Sequence, residues 1–479
     1  MGSDHRFGTF IYFMRKCDSM AITEGNLRRT VLSLSWPAVA RMSLNMLVQV
    51  VDLIMVGRLG AAAIAAVGVS NQIFFLAIAV VSAFGVGATA LIAQAVGAGD
   101  IPRGKEVARQ ALIFTGISTF ILTLVGYFGA ESLINAALIL NDNPDPQILH
   151  LATTYLRIVS TSAFLRFYMM VISNILQGTG DMKTPLFIVI FANVFNAVGN
   201  YFLIFGIGPF PRLGVAGAAI ATALAGVLGG LLGIASLFHP RCLIQLSLQD
   251  DFRIRLPVIR DILGLGVPAA LEQAVVQGSQ MLYTVLAASL GDMATAANQI
   301  MMTAQMIITH PCIGFSAVST TLVGQNLGAG NIDRARASGY ETLRWAVLFT
   351  ALVGTLFFLA PGYVIRAFTS DQQVIPLASK TLRVLGLAQP ALATALILAG
   401  GLRGAGDTRY VMYVTALGML GVRLALTLLF LSLGWGLPGL WAAAVLEAYL
   451  RGGLIMHRFA AGHWTEDFVR TRPSQSPAK

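Results

Sequence analysis

Leu91-Ile92-Ala93-Gln94-Ala95-Val96-Gly97-Ala98-Gly99-Asp100-Ile101 returns as Leu322-Val323-Gly324-Gln325-Asn326-Leu327-Gly328-Ala329-Gly330-Asn331-Ile332, 231 positions later. Pro37 and Gly60 recur at the same offset as Pro268 and Gly291. Gly178-Thr179-Gly180-Asp181 returns at an offset of 226 as Gly404-Ala405-Gly406-Asp407. The chain is a tandem duplication. Hydrophobic residues are 56% and charged residues only 11%, with mean hydropathy +0.74. A soluble domain carries about 25% charge, so most of this surface must face lipid. A duplicated membrane chain predicts two similar helical bundles with a site between them.

Twelve spans can be drawn, each long enough to cross ~30 Å of hydrocarbon. They lie at 31–56, 65–92, 107–130, 149–177, 186–208 and 213–238, and again at 259–289, 294–323, 340–361, 377–402, 409–433 and 437–459. All are expected to be helices, because only a backbone that satisfies its own hydrogen bonds is stable in lipid. Barrel strands would instead show ~10-residue alternating segments. The 49 glycines suit close helix contact, as at Gly226, Gly229, Gly230 and Gly233. The expected organisation is a cytoplasmic segment 1–30, a six-helix lobe 31–238, a linker 239–258, a second lobe 259–459 and a cytoplasmic tail 460–479. Met20 is an alternative start. The tail is polar and is expected to be disordered.

The net charge of +10 does not point to nucleic acid, because the basic residues sit in loops between apolar runs. With the N-terminus inside, twenty-three Lys and Arg fall in cytoplasmic segments, against Arg58, Arg212 and Arg366 outside. That asymmetry predicts both termini in the cytoplasm. Six spans is an even number, so the halves share orientation, a parallel repeat about an axis along the membrane normal. Cys17, Cys242 and Cys312 are scattered, which indicates neither a disulfide framework nor a metal site. No GxxxxGK[ST] sequence supports ATP hydrolysis, and no nucleophile has an evident base, so an enzyme is not expected.

Pro37 followed by Asp52-Leu53-Ile54-Met55-Val56-Gly57-Arg58-Leu59-Gly60, then Gln94 with Gly97-Ala98-Gly99, then Leu176-Gln177-Gly178-Thr179-Gly180-Asp181, and Gly401-Leu402-Arg403-Gly404-Ala405-Gly406-Asp407 in the second half, resemble the multidrug and toxic compound extrusion (MATE) family, bacterial type. The likeness runs from Leu27 to Phe459. It implies two six-helix lobes forming a V around a central cleft. It also implies efflux of small organic cations or amphipathic drugs from the inner membrane, driven by H⁺ or Na⁺, with no other cofactor. A monomer is expected. A flippase for a lipid-linked sugar and a non-transporting scaffold are the rival readings.

Charges inside a membrane span are costly and mark function by default. Asp52 lies in Val50-Val51-Asp52-Leu53-Ile54 and resembles the family's first-helix aspartate. It is the expected H⁺ or transient Na⁺ site. A structural hydrogen bond to a neighbouring helix is the alternative. The second half has Tyr283 at the matching place. Asn193, Asn196 and Asn200 share one face of the fifth span and either line a cavity with Asp52 or bond between helices. Some family members carry an aspartate where Asn200 stands. A second-lobe aspartate known from one branch would fall near Leu392 and is missing. That shifts weight to Asp52 and favours H⁺. Glu272, Gln49 and Arg423 are further coupling or substrate-binding candidates. Arg423 can neutralise Glu272 or Glu447 or repel cations. Glu447 and Arg451 are spaced for a local ion pair.

Overall fold

The computed structural model describes residues 19–138, 145–247 and 249–465. The segment before residue 19 and the tail from 466, expected to be cytoplasmic and, for the tail, disordered, lie outside the described residues. Among the described residues there are sixteen α-helices and no strand. They are α1 (Ser19–Glu24), α2 (Leu27–Gly57), α3 (Ala61–Gly97), α4 (Ile101–Phe128), α5 (Ala130–Ala137), α6 (Pro146–Thr179), α7 (Lys183–Phe205) and α8 (Val215–Phe238). The second half gives α9 (Leu256–Ala288), α10 (Asp292–Gly328), α11 (Ile332–Leu359), α12 (Pro361–Arg366), α13 (Val374–Ala405), α14 (Thr408–Ala416), α15 (Arg423–Ser432) and α16 (Gly436–Ala461). A π-helical stretch, Leu417–Val422, joins α14 to α15 into one span.

The protein is an all-α, multi-pass membrane protein. Eleven of the described helical spans are long and apolar enough to cross a bilayer. The twelfth expected span, α9, has 33 residues. Glu272, Gln273, Gln277 and Gln280 interrupt its apolar run. Two short helices, α5 and α12, were not expected. They follow the third span of each half and start 231 positions apart, so they too belong to the duplication.

The repeated stretch is a helix end followed by a helix start. Gly99 and Gly330 adopt φ +73° and +77°, a left-handed backbone that glycine enters without a Cβ clash. Asp100 then accepts a hydrogen bond from the Arg103 amide at 3.0 Å. Asn331 does the same for Arg334 at 3.1 Å. Both are N-caps, which satisfy amides that the first helical turn leaves free.

By its internal contacts the chain forms two compact units. Unit 1 holds Ala40–Ile92 and Asp100–Gly266. Unit 2 holds Ser19–Val39, Ala93–Gly99 and the chain from Val267. Helices α2 and α9 change unit beside their matched prolines, Pro37 and Pro268. A proline in a helix removes one backbone hydrogen bond and loosens that turn.

Small residues hold these pieces. In unit 1 a Cβ on Gly266 would collide with the Ala83 carbonyl, so α9 starts in backbone contact with α3. In unit 2 a Cβ on Gly314 would strike Ala38 and Val39, so α2 starts in backbone contact with α10. Also in unit 2, Gly97 lies against the backbone of Gln325, and Gly328 against that of Gln94. The second contact is the first with each residue moved 231 places, so the duplication is visible as a reciprocal crossing of α3 and α10.

Candidate functional site

Asp52 lies one turn before the end of α2, half-buried, with exposed Val51, Leu53 and Ile54 around it. Helix α7 supplies its partner. Asn200 Nδ2 donates to Asp52 Oδ1 at 2.7 Å. The same nitrogen donates to Asn196 Oδ1 at 3.2 Å. Asn196 Nδ2 is 3.3 Å from Thr222 Oγ1 on α8, and Thr222 hydrogen-bonds the Tyr155 hydroxyl on α6. Lower on the same faces, Asn193 Nδ2 donates to Asn45 Oδ1 at 3.4 Å. Asn45 and Asp52 are seven residues apart on α2, as are Asn193 and Asn200 on α7. Equal spacing of two turns lets both pairs close at once between helices running the same way.

The electrostatics of this group rest on one amide. Asn200 is 1% exposed. Both of its N–H groups are used, while its Oδ1 is buried without a hydrogen-bond partner. A carboxylate and a vacant amide oxygen therefore sit on adjacent side chains. Arg166 on α6 is close enough for its charge to act on the Asp52 carboxylate, and its guanidinium lies 5.7 Å from the centroid of Phe74. Gln49, one turn before Asp52, is exposed.

Unit 2 keeps Gln49 as Gln280 but differs at the matched places of Asp52 and the asparagine stripe. Tyr283 stands where Asp52 does, fully buried, and donates its hydroxyl to the Met419 carbonyl at 2.7 Å. Met419 lies in the π-helical stretch, where the usual backbone ladder is interrupted. At the offset of 226 the asparagine stripe becomes Met419, Val422 and Leu426. Arg423 places its guanidinium 3.9 Å from the Tyr283 ring centroid. Neither acid considered for it pairs with it. Glu272 is held by Arg403, at 2.7 and 3.3 Å, and by Thr415 at 3.5 Å. Glu447 accepts from Arg451 at 2.6 Å, the local pair expected from their spacing.

The sequence profile of the MatE family matches residues 37–202 and 268–429, one block in each half. The chain belongs to the MATE family. Among its relatives, an uncharacterized transporter, YisQ, of Bacillus subtilis is 30% identical over 91% of this chain and 95% of its own. The probable multidrug resistance protein NorM of Thermotoga maritima is 30% identical over 93% and 95%. Among solved structures, a MOP superfamily transporter from Pyrococcus furiosus has the same fold. Its TM-score is 0.87 at 23% identity, covering 95% of this chain and all of that one.

This MATE protein is a secondary transporter rather than an enzyme. Its two matched blocks begin 231 positions apart at Pro37 and Pro268, the offset read from the repeat. Of its polar residues in unit 1, sequence reasoning found Asp52 and the asparagine stripe. It missed Asn45, Thr222, Tyr155 and Arg166. Asn45 carried a signal, since it lies on the Asp52 face of α2. The others gave none, because single polar residues on long helices do not reveal which neighbour they meet.

Proposed function

We propose that this MATE protein exports organic cations and amphipathic compounds by alternating access in exchange for H⁺ or Na⁺, with Asp52 as the coupling site. The carrying observation is the Asp52–Asn200 hydrogen bond beside the unpartnered Asn200 Oδ1. A buried acceptor without a donor is costly. A proton on Asp52 can be donated to that oxygen once the amide turns. A Na⁺ ion can instead be shared by the carboxylate and the amide oxygen, both hard ligands. Either event removes the negative charge of Asp52 and loosens its bond to Asn200 on α7. Asn196 and Thr222 then pass the rearrangement to α8. Asn193 and Asn45 hold the lower turns of α2 and α7 in register meanwhile.

The probable multidrug resistance proteins among the relatives support a drug-like cargo. The Lys and Arg distribution supports an inner-membrane orientation with both termini in the cytoplasm. Gln49, Glu272 and Arg423 have no coupling role in this reading, since Glu272 is neutralised by Arg403 and Arg423 is stacked on Tyr283. The protein works as a monomer.

The test is ethidium efflux from reconstituted vesicles under a pH gradient or a Na⁺ gradient imposed separately. One gradient alone should drive flux, and Asp52→Asn should abolish it while the protein stays folded. Full gradient-driven efflux by Asp52→Asn would sink the assignment.

A further inference from the structure

The segment before α9 carries a feature that transport does not use. Residues 249–255 form a non-helical strap fastened to α4 in unit 1. Gln110, 1% exposed, donates to the Arg253 carbonyl at 2.7 Å and accepts from the Arg255 amide at 3.0 Å. A neighbouring strand would hold a chain in the same way. Ion pairs lock the ends. Arg255 meets Glu106 at 2.9 Å and Asp251 at 3.6 Å, and Arg103 meets Asp261 at 2.9 Å.

The strap alternates in sequence. Phe252, Ile254 and Leu256 are 43%, 54% and 71% exposed. Arg253 lies between them with its side chain 90% exposed and a loose 3.7 Å ion pair to Asp251, and Arg260 is exposed one turn into α9 without an ion pair among the described residues. Phe252 and Ile254 precede α9, Leu256 opens its first turn, and all three stand beside charged groups. Ordinary lipid-facing residues lie deeper within the spans. An open cavity of about 500 Å³ lies against the same segment, lined by Arg103, Glu106, Ile254, Arg255, Leu256, Pro257 and Val258.

We propose that the strap is a membrane-interface anchor. Phe252, Ile254 and Leu256 insert at the headgroup–acyl boundary, and Arg253 and Arg260 take the phosphates of anionic phospholipids. Apolar side chains alternating with cations match a surface that offers acyl chain and phosphate within a few ångströms of each other. An acidic soluble partner would engage the arginines but leave the three apolar groups in water. The rigid Gln110 clamp fixes which side chains point outward, so little ordering is needed on binding.

The experiment uses the full chain with its cysteines replaced by alanine. Nitroxide labels are placed one at a time at Phe252→Cys, Arg253→Cys, Ile254→Cys and Leu256→Cys. Accessibility to oxygen and to a water-soluble nickel chelate is read in vesicles of phosphatidylcholine with and without phosphatidylglycerol. Labels at 252, 254 and 256 should be oxygen-accessible and nickel-protected, and the label at 253 should be the reverse. Phosphatidylglycerol should deepen the pattern. On the Ile254→Cys label, Arg253→Gln and Arg260→Gln should each weaken the anionic-lipid preference about five-fold. Equal nickel access at all four sites overturns the proposal. So does a pattern identical in neutral and anionic vesicles, or protection that appears only at high protein concentration in detergent. Ethidium flux measured alongside keeps this outcome separate from the fate of the Asp52 assignment.

Discussion

Asp52 and Tyr283 occupy matched places in the two halves, and their surroundings have parted completely. In unit 1 a carboxylate meets a ladder of amides on the fifth span. In unit 2 a phenol meets a π-helical carbonyl, and an arginine lies over its ring. The helix ends have not diverged: Gly99 and Gly330 turn alike, and Asp100 and Asn331 cap alike. Gly97 and Gly328 make the same contact in mirror order. Backbone proximity tolerates no side chain, so both copies keep it. A polar interior tolerates any self-consistent set of partners, so each copy found its own.

That contrast can be broken most directly at its two centres. Asp52→Asn is expected to reduce gradient-driven ethidium efflux by at least about ten-fold, a change of ~1.4 kcal/mol or more in the driven step. Tyr283→Phe, at the matched place, is expected to leave flux within about two-fold of wild type. Equal losses in both would mean that the two positions share one role.

The next effect concerns charge. Glu447→Ala leaves Arg451 buried without its carboxylate. It is expected to cost about 3–5 kcal/mol in thermal unfolding in detergent. Ala221, the matched residue in unit 1, has no charge to lose, and Ala221→Ser should change stability by less than about 1 kcal/mol.

A sharper probe of symmetry is the reciprocal crossing. Gly97→Ala and Gly328→Ala each drive a methyl into a carbonyl. Each should destabilise by about 1–3 kcal/mol, and by equal amounts within error. Tyr283→Phe, which loses only the bond to the Met419 carbonyl, should cost about 1 kcal/mol in the same assay.

The mildest expectation lies outside both regions. The Asp251 carboxyl is held below the usual carboxylate range, first by the Arg253 amide and then by the Arg253 and Arg255 side chains. A depressed folded value means that its contribution to the strap is complete above the ordinary aspartate pKa. It is lost as pH falls through the lower, folded value. Hydrogen exchange in residues 249–255 should stay slow down to about pH 4 and rise only below it.

Much of this was legible in the residues. The spans were visible because lipid admits only long apolar helices, and the structure extends them mainly by the caps at their ends. The α9 span was drawn correctly by position, although its glutamine-rich middle is weakly apolar. The π-helical stretch left no trace in Leu417-Gly418-Met419-Leu420-Gly421-Val422, since an extra residue in one turn alters no periodicity that so short a run can show. Arg423 was seen as an intramembrane cation, but a tyrosine 140 positions earlier in the chain gives no hint of stacking on it.

The sequence by itself determined the duplication, the number of membrane crossings, the helix ends and the solitary acid of the first span. Each follows from local rules: hydropathy over one span, capping within one turn, and identity at a fixed offset. Only the tertiary structure decided which polar groups meet. Asn200 reaches Asp52 across 148 positions, Arg403 rather than Arg423 neutralises Glu272, and Gln110 clamps the strap. Partner choice inside a helical bundle depends on helix rotation and depth, and those are set by the packing of many small residues at once.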